Sequence, residues 1–158
     1  MLRKHMSLKT LIVGIDGADW RIVQPLVEQG QLPNLEAMMQ EGAFGDLLSV
    51  CPHNSAAAWS SFQTGLNPGK HGLYDFYKSG GLYERGIISA ESLRGRTMWD
   101  ILGSAGHKVG VMNMPITYPP RQVNGFLIPG VLTPARDRIP TFPEGLLDRK
   151  QNYVVEPT

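Results

Sequence analysis

The sequence predicts an α/β domain built on a mostly parallel sheet with crossover helices. Three observations carry that prediction. Thr10-Leu11-Ile12-Val13-Gly14-Ile15 is a continuous apolar run that stops at Asp16-Gly17, the signature of a strand buried on both faces. Helical and strand-like periods then alternate along the chain, as a sheet with crossover connections requires. Finally, 18 glycines and 12 prolines in 158 residues are too many for a helical bundle and suit a chain with many turns between short elements.

Each element has a local reason. After the first strand, Trp20, Val23 and Val27, with Ile22 and Leu26, fall at helical spacing between Trp20 and Gln29, and Gly30 ends the pattern. A second helix is expected from a cap at Asn34, turning Leu35, Met38 and Met39 inward and stopping at Gly42. Ala43 to Val50 reads as a strand. The run AAAWSSF from Ser55 begins with strong helix formers and breaks at Thr64-Gly65, ahead of a loop with Asn67, Pro68, Gly69 and Gly72. Residues 77 to 96 read as a loop or hairpin excursion. Thr97 caps a helix through Trp99, Ile101 and Leu102 to Gly103 or Gly106, and His107 to Asn113 follows as a strand with Val109, Val111 and Met112 in the core. Seven prolines between Pro115 and Pro143 allow only short extended pieces such as Phe126-Leu127-Ile128. Residues 115–150 are therefore expected as a Pro-rich loop or insertion, residues 1–9 as a flexible N-terminus, and Tyr153-Val154-Val155 as a fresh strand.

Composition narrows the function. With 42% hydrophobic and 18% charged residues the chain buries a core and is no disordered tail. The net charge is +1, split as −1 over residues 1–80 and +2 over 81–158. No basic stripe is available for a nucleic-acid backbone or an anionic membrane, so neither is expected as a partner. The lone Cys51 excludes a disulfide framework and a CxxC zinc site, and fits a reducing compartment. No apolar run reaches the ~18 residues of a spanning helix, and no secretory signal precedes the first strand. A cytoplasmic location follows as the default.

Two residues are candidates for chemistry. Asp16 stands at the carboxyl end of a buried strand, where open α/β sheets bind ligands; its plain alternative is a turn residue, with Asp16 or Asp19 capping the next helix. Ser55 heads a helix, where free backbone N–H groups and the positive end of the dipole suit a phosphate; its plain alternative is an N-cap. A serine needs a base or a metal to act as a nucleophile, and His53 is the one nearby histidine. A divalent metal held by Asp16 would lower the hydroxyl pKa. Thr64 to Gly72, TGLNPGKHG, lacks the spacing of a phosphate loop, and Gly14-Ile15-Asp16-Gly17 lacks that of a dinucleotide fingerprint. His5, His53, His71 and His107 form no HxxxH pair, and His71 in its glycine-rich turn is expected to be a structural hydrogen-bond partner.

VGIDGADW, then SAAAWSSFQTGLNPGKHGLYDF, then TMWDILGSAGHKVGVMNMPITYPP together resemble the alkaline phosphatase superfamily, in its type I phosphodiesterase/nucleotide pyrophosphatase-like branch of phosphohydrolases and phosphomutases. The resemblance covers residues 10 to 155. It implies a three-layer α/β/α sandwich, alkaline phosphatase-like and incomplete at the C-terminus, with residues 1–158 as the N-terminal part of the catalytic domain. It implies a two-metal site, zinc with manganese or magnesium as alternatives, in which Asp16 is a metal ligand. Counting back from the Thr64-Gly65 pair, it makes Ser55 the nucleophile and a metal ligand. A phosphorylated small molecule is the implied substrate, hydrolysed through a phosphoserine intermediate. Ala57 and Trp59 replace the proline and arginine of sulfatases, and Cys51 lies four residues too early for their nucleophile. Leu73-Tyr74-Asp75-Phe76 lacks the asparagine of nucleotide pyrophosphatases. The downstream Asp and His ligands of the family have no counterpart, so activity is expected of a longer chain and not of these residues alone. The alternatives are a phosphomutase, a non-catalytic domain of the same fold that binds a partner or a phosphorylated ligand, and an unrelated α/β domain in which Asp16 and Ser55 are only caps.

Overall fold

The computed structural model describes residues 10–78, 86–134 and 139–147. Residues 1–9 and the run Tyr153 to Val155 lie outside them. The chain divides into two compact units, Met1–Leu48 and Ser49–Thr158.

In the first unit, Asp19 starts helix α1 (Trp20–Glu28) by accepting the N–H of Arg21, and Gly30 ends it with a positive φ of 68°. Helix α2 (Pro33–Glu41) begins one residue before the expected cap: Pro33 occupies the first helical position and Asn34 follows inside the turn. The ring fixes φ and removes an N–H that would have had no partner there. Met38 faces solvent, whereas Leu35 and Met39 are half-buried. The expected strands at 10–15 and 43–50 form no ladder among the described residues. Their apolar side chains are exposed, Leu11 at 74% and Leu47 at 93%. A continuous apolar run states a demand for burial, and a strand exists only where a partner edge meets it. The Trp20 indole anchors the returning segment: it packs on Phe44 at 5.7 Å and donates to the Gly45 carbonyl at 3.2 Å.

The second unit holds helix α3 (Ser55–Thr64), the short helix α4 (Pro68–His71), a 3₁₀ turn at Ala90–Ser92, helix α5 (Met98–Ser104) and strands β1 (Val109–Met114) and β2 (Gly125–Pro129). Of the loop or hairpin excursion expected over 77 to 96, residues 79–85 lie outside the described residues, and Tyr77 and Ile87 on either side bridge antiparallel. Thr97 caps α5, as the sequence predicts, and the structure adds a reciprocal box with Asp100. Strands β1 and β2 pair in parallel from Val109 opposite Gly125 to Met112 opposite Ile128, with an irregularity before Met114 and Pro129. Asn113, at the irregularity, has φ of 54°. The connection between them, Pro115 to Asn124, carries no helix; its prolines forbid one, and the crossover is a loop.

Burial alternates along β1. Val111 is buried while Met112 is exposed, so Met112 is not a core residue as the apolar run suggested. Within β2, Leu127 exchanges two backbone hydrogen bonds with Phe142, at 2.7 and 2.9 Å, which ties the Pro-rich segment to the sheet. Two apolar clusters result. Ala56, Leu73, Ile88, Leu93 and Ile116 join α3 to the segment 88–93, and Trp99, Val111, Val123 and Leu127 join α5 to the sheet. The described residues thus comprise helices in both units and, in the second, a two-stranded parallel sheet, an α/β composition.

Candidate functional site

Helix α3 builds the site around Ser55. Its cap is Asn54 and not Ser55: Asn54 has extended backbone angles, and its Oδ1 accepts the N–H of Ala57 at 2.8 Å. Asn54 Nδ2 also donates to the Tyr74 carbonyl, which fixes the entry to the helix against the segment after α4. Ser55 is therefore the first residue of the helix, half-buried, on the turn whose N–H groups lack helical acceptors. The capping role expected of Ser55 belongs to its neighbour. Asparagine and serine cap equally well, so the pair Asn54-Ser55 leaves the choice to backbone geometry.

One face of α3 turns inward. Ala56, Ala57, Ser60 and Gln63 are buried, and Gly65 closes the helix in the left-handed region at φ of 68°. The TGLNPGKHG stretch that follows is a chain of caps. Thr64 Oγ1 donates to the Ser60 carbonyl at 2.7 Å, and Asn67 caps α4 through the Lys70 N–H. Gly72, at φ of 82°, ends α4.

His71 is fully buried and sits 2.9 Å from Ser61 Oγ through Nε2. A serine beside a histidine invites a nucleophile–base reading. The other ring nitrogen decides against it: Nδ1 accepts the Leu73 N–H at 3.2 Å, so in the neutral ring Nε2 carries the proton and donates. A base would need that lone pair free. Burial holds the His71 pKa below the ordinary histidine value, countered in part by a hydrogen bond with the Ala57 backbone. His71 is the structural partner its turn predicted. His53 is exposed, as is Cys51.

Asp16 lies in the turn at Asp16-Gly17 of the first unit, exposed. The capping of α1 falls to Asp19, whose carboxylate the Arg21 guanidinium, at 2.9 Å, lowers to a pKa of about 2. Asp16 thus belongs to one unit and Ser55 to the other. Among the described residues, no three His, Cys, Asp or Glu side chains are grouped to hold a metal ion. Asp16 and Ser55 are two oxygen donors, fewer than the three protein ligands of a catalytic zinc. The described residues do not by themselves fit a metal centre. No helix among them is long and apolar enough to cross a membrane.

The family model for type I phosphodiesterase / nucleotide pyrophosphatase matches residues 10–156. No curated protein and no solved structure matches the chain.

Proposed function

The chain belongs to the type I phosphodiesterase/nucleotide pyrophosphatase family, within the alkaline phosphatase superfamily, and from that membership we propose that it hydrolyses phosphoric esters with Ser55 as nucleophile. The seat of Ser55 at the first position of α3, beneath the Asn54 cap, is the observation that carries this reading. Ser55 Oγ bonds to phosphorus in line as the bond to the leaving oxygen breaks, the serine proton passing through solvent to that oxygen, and water then breaks the phosphoserine P–O bond, releasing the phosphate product and restoring the hydroxyl. The positive end of the α3 dipole favours the charge of the anion.

Family members are generally metal-dependent. Asp16 and Ser55 are the groups this reading gives to a divalent metal, zinc with manganese or magnesium as alternatives. They fall short of a ligand set on their own. Residues 1–158 then serve as the N-terminal part of a three-layer α/β/α catalytic domain, acting on a phosphorylated small molecule in the cytoplasm. Further Asp and His ligands come from elsewhere in the domain, and the 158 residues alone are inactive.

The test is hydrolysis of p-nitrophenyl phosphate and bis(p-nitrophenyl) phosphate by the protein as the cell makes it, with zinc, manganese and magnesium each supplied. Ser55→Ala and Asp16→Ala should each lower the metal-dependent rate at least ~100-fold, since an unactivated or absent nucleophile forfeits several kcal/mol of barrier reduction. Retention of both activities by both variants overturns the assignment.

A further inference from the structure

A groove of about 640 Å³ runs between α5 and the segment before β2, lined by Arg96, Trp99, Asp100, Arg121, Gln122 and Asn124 among others. Its volume lies in the range of small-molecule sites, ~300–1,000 Å³, well above what one inorganic ion fills. Charge sets its preference. Arg96 and Arg121 are exposed, and among the described residues the ion pair is Arg21 with Asp19, in the other unit. The groove's carboxylate is already engaged: Asp100 accepts the Thr97 N–H at 2.9 Å and the Thr97 hydroxyl at 2.7 Å.

Two of the cations, Arg96 and Lys108, are also held in place. Arg96 Nη2 donates to the Asp100 carbonyl at 3.1 Å and to Ser104 Oγ at 2.6 Å, two neutral acceptors that orient the guanidinium and leave its charge and remaining N–H groups available. Lys108 Nζ donates to Asn124 Oδ1 at 2.8 Å, and Asn124 Nδ2 donates to the His107 carbonyl at 2.9 Å, which sets a third positive charge beside the groove. Guanidinium forks match the paired oxygens of phosphoryl and carboxylate groups.

We propose that this groove binds a small molecule bearing at least two oxyanion groups, with Arg96 and Arg121 as the two forks. The proposal is independent of Ser55 chemistry. Its test is a ¹⁵N–¹H NMR titration of the full chain at low ionic strength with inorganic pyrophosphate and, separately, with citrate. Saturable shifts of the Trp99 indole and of the amides of residues 121–124 are expected. Tighter binding of pyrophosphate marks the ligand as a phosphoryl compound, and tighter binding of citrate marks it as a polycarboxylate. Because Arg96 also braces α5, Arg121→Gln is the deciding variant. It should weaken binding at least ~10-fold, while Arg21→Gln, which removes one charge from the other unit, should not. Absence of saturable shifts with both probes, or equal binding by Arg121→Gln and the parent chain, overturns the proposal.

Discussion

Asn54 Oδ1 accepts the backbone N–H of Ala57 at 2.8 Å, and this contact seats Ser55 as the first residue of α3. Capping and chemistry are thereby divided between adjacent residues. Asn54→Ala should destabilise the protein by about 1 kcal/mol, and somewhat more because the Tyr74 carbonyl also loses its donor. Asn54→Asp keeps the acceptor and loses that donor, so its cost should be intermediate or larger through repulsion from the carbonyl. Urea unfolding of the three proteins measures the order. A parent-like midpoint for Asn54→Ala would place the cap elsewhere.

Buried His71 makes stability depend on pH. Its folded pKa is depressed by burial, so the unfolded chain binds the proton more readily. Stability is complete above the unfolded value of about 6.5 and falls as pH drops below it toward the folded pKa. His71→Gln, which has no titrating ring, should flatten the fall between pH 7 and 5. Thermal unfolding at steps of half a pH unit gives the comparison; identical slopes in both proteins would assign the dependence to another group.

At the sheet, two glycines answer to different neighbours. A Cβ on Gly125 would lie 1.9 Å from the Val109 carbonyl oxygen, at φ of 153°, and neither strand backbone can give way. Gly125→Ala should cost about 4 kcal/mol or more, through strain and the lost pairing. A Cβ on Gly110 meets the Phe126 ring at 2.6 Å. A ring can turn, so Gly110→Ala should cost only about 1–3 kcal/mol. Chemical denaturation ranks the two, and the reverse order would contradict the register.

Gln63 is 1% exposed, and neither amide atom has a hydrogen-bond partner among the described residues. Buried amide atoms without partners cost about 1–3 kcal/mol. Gln63→Met, of similar length, should therefore raise stability by about 1 kcal/mol. A loss of stability on calorimetry would mean that the amide is satisfied in solution.

Local rules carried most of the helices. Thr97 and Asp100 stand three apart before an apolar period, and Gly65 follows Thr64, so caps and stops can be read from spacing alone. The family was equally legible, in the order VGIDGADW, SAAAWSSFQTG, HKVGVMNM. Less legible were the groove arginines: Arg96 and Arg121 are 25 positions apart, and no local pattern joins them.

By itself, then, the sequence determined where chain direction changes, which segments are helical, and that Ser55 heads α3 in a phosphodiesterase-family chain. Those properties depend on residues within one or two turns of each other. Tertiary structure alone decided that Asn54 takes the cap, that His71 places Nε2 beside Ser61, that Met112 faces outward, and that Leu127 pairs with both Val111 and Phe142. It also left residues 10–15 without a ladder among the described residues. Hydrogen-bond partners and strand edges are contributed by distant segments, so a residue's own pattern states what it needs while the fold determines what meets it.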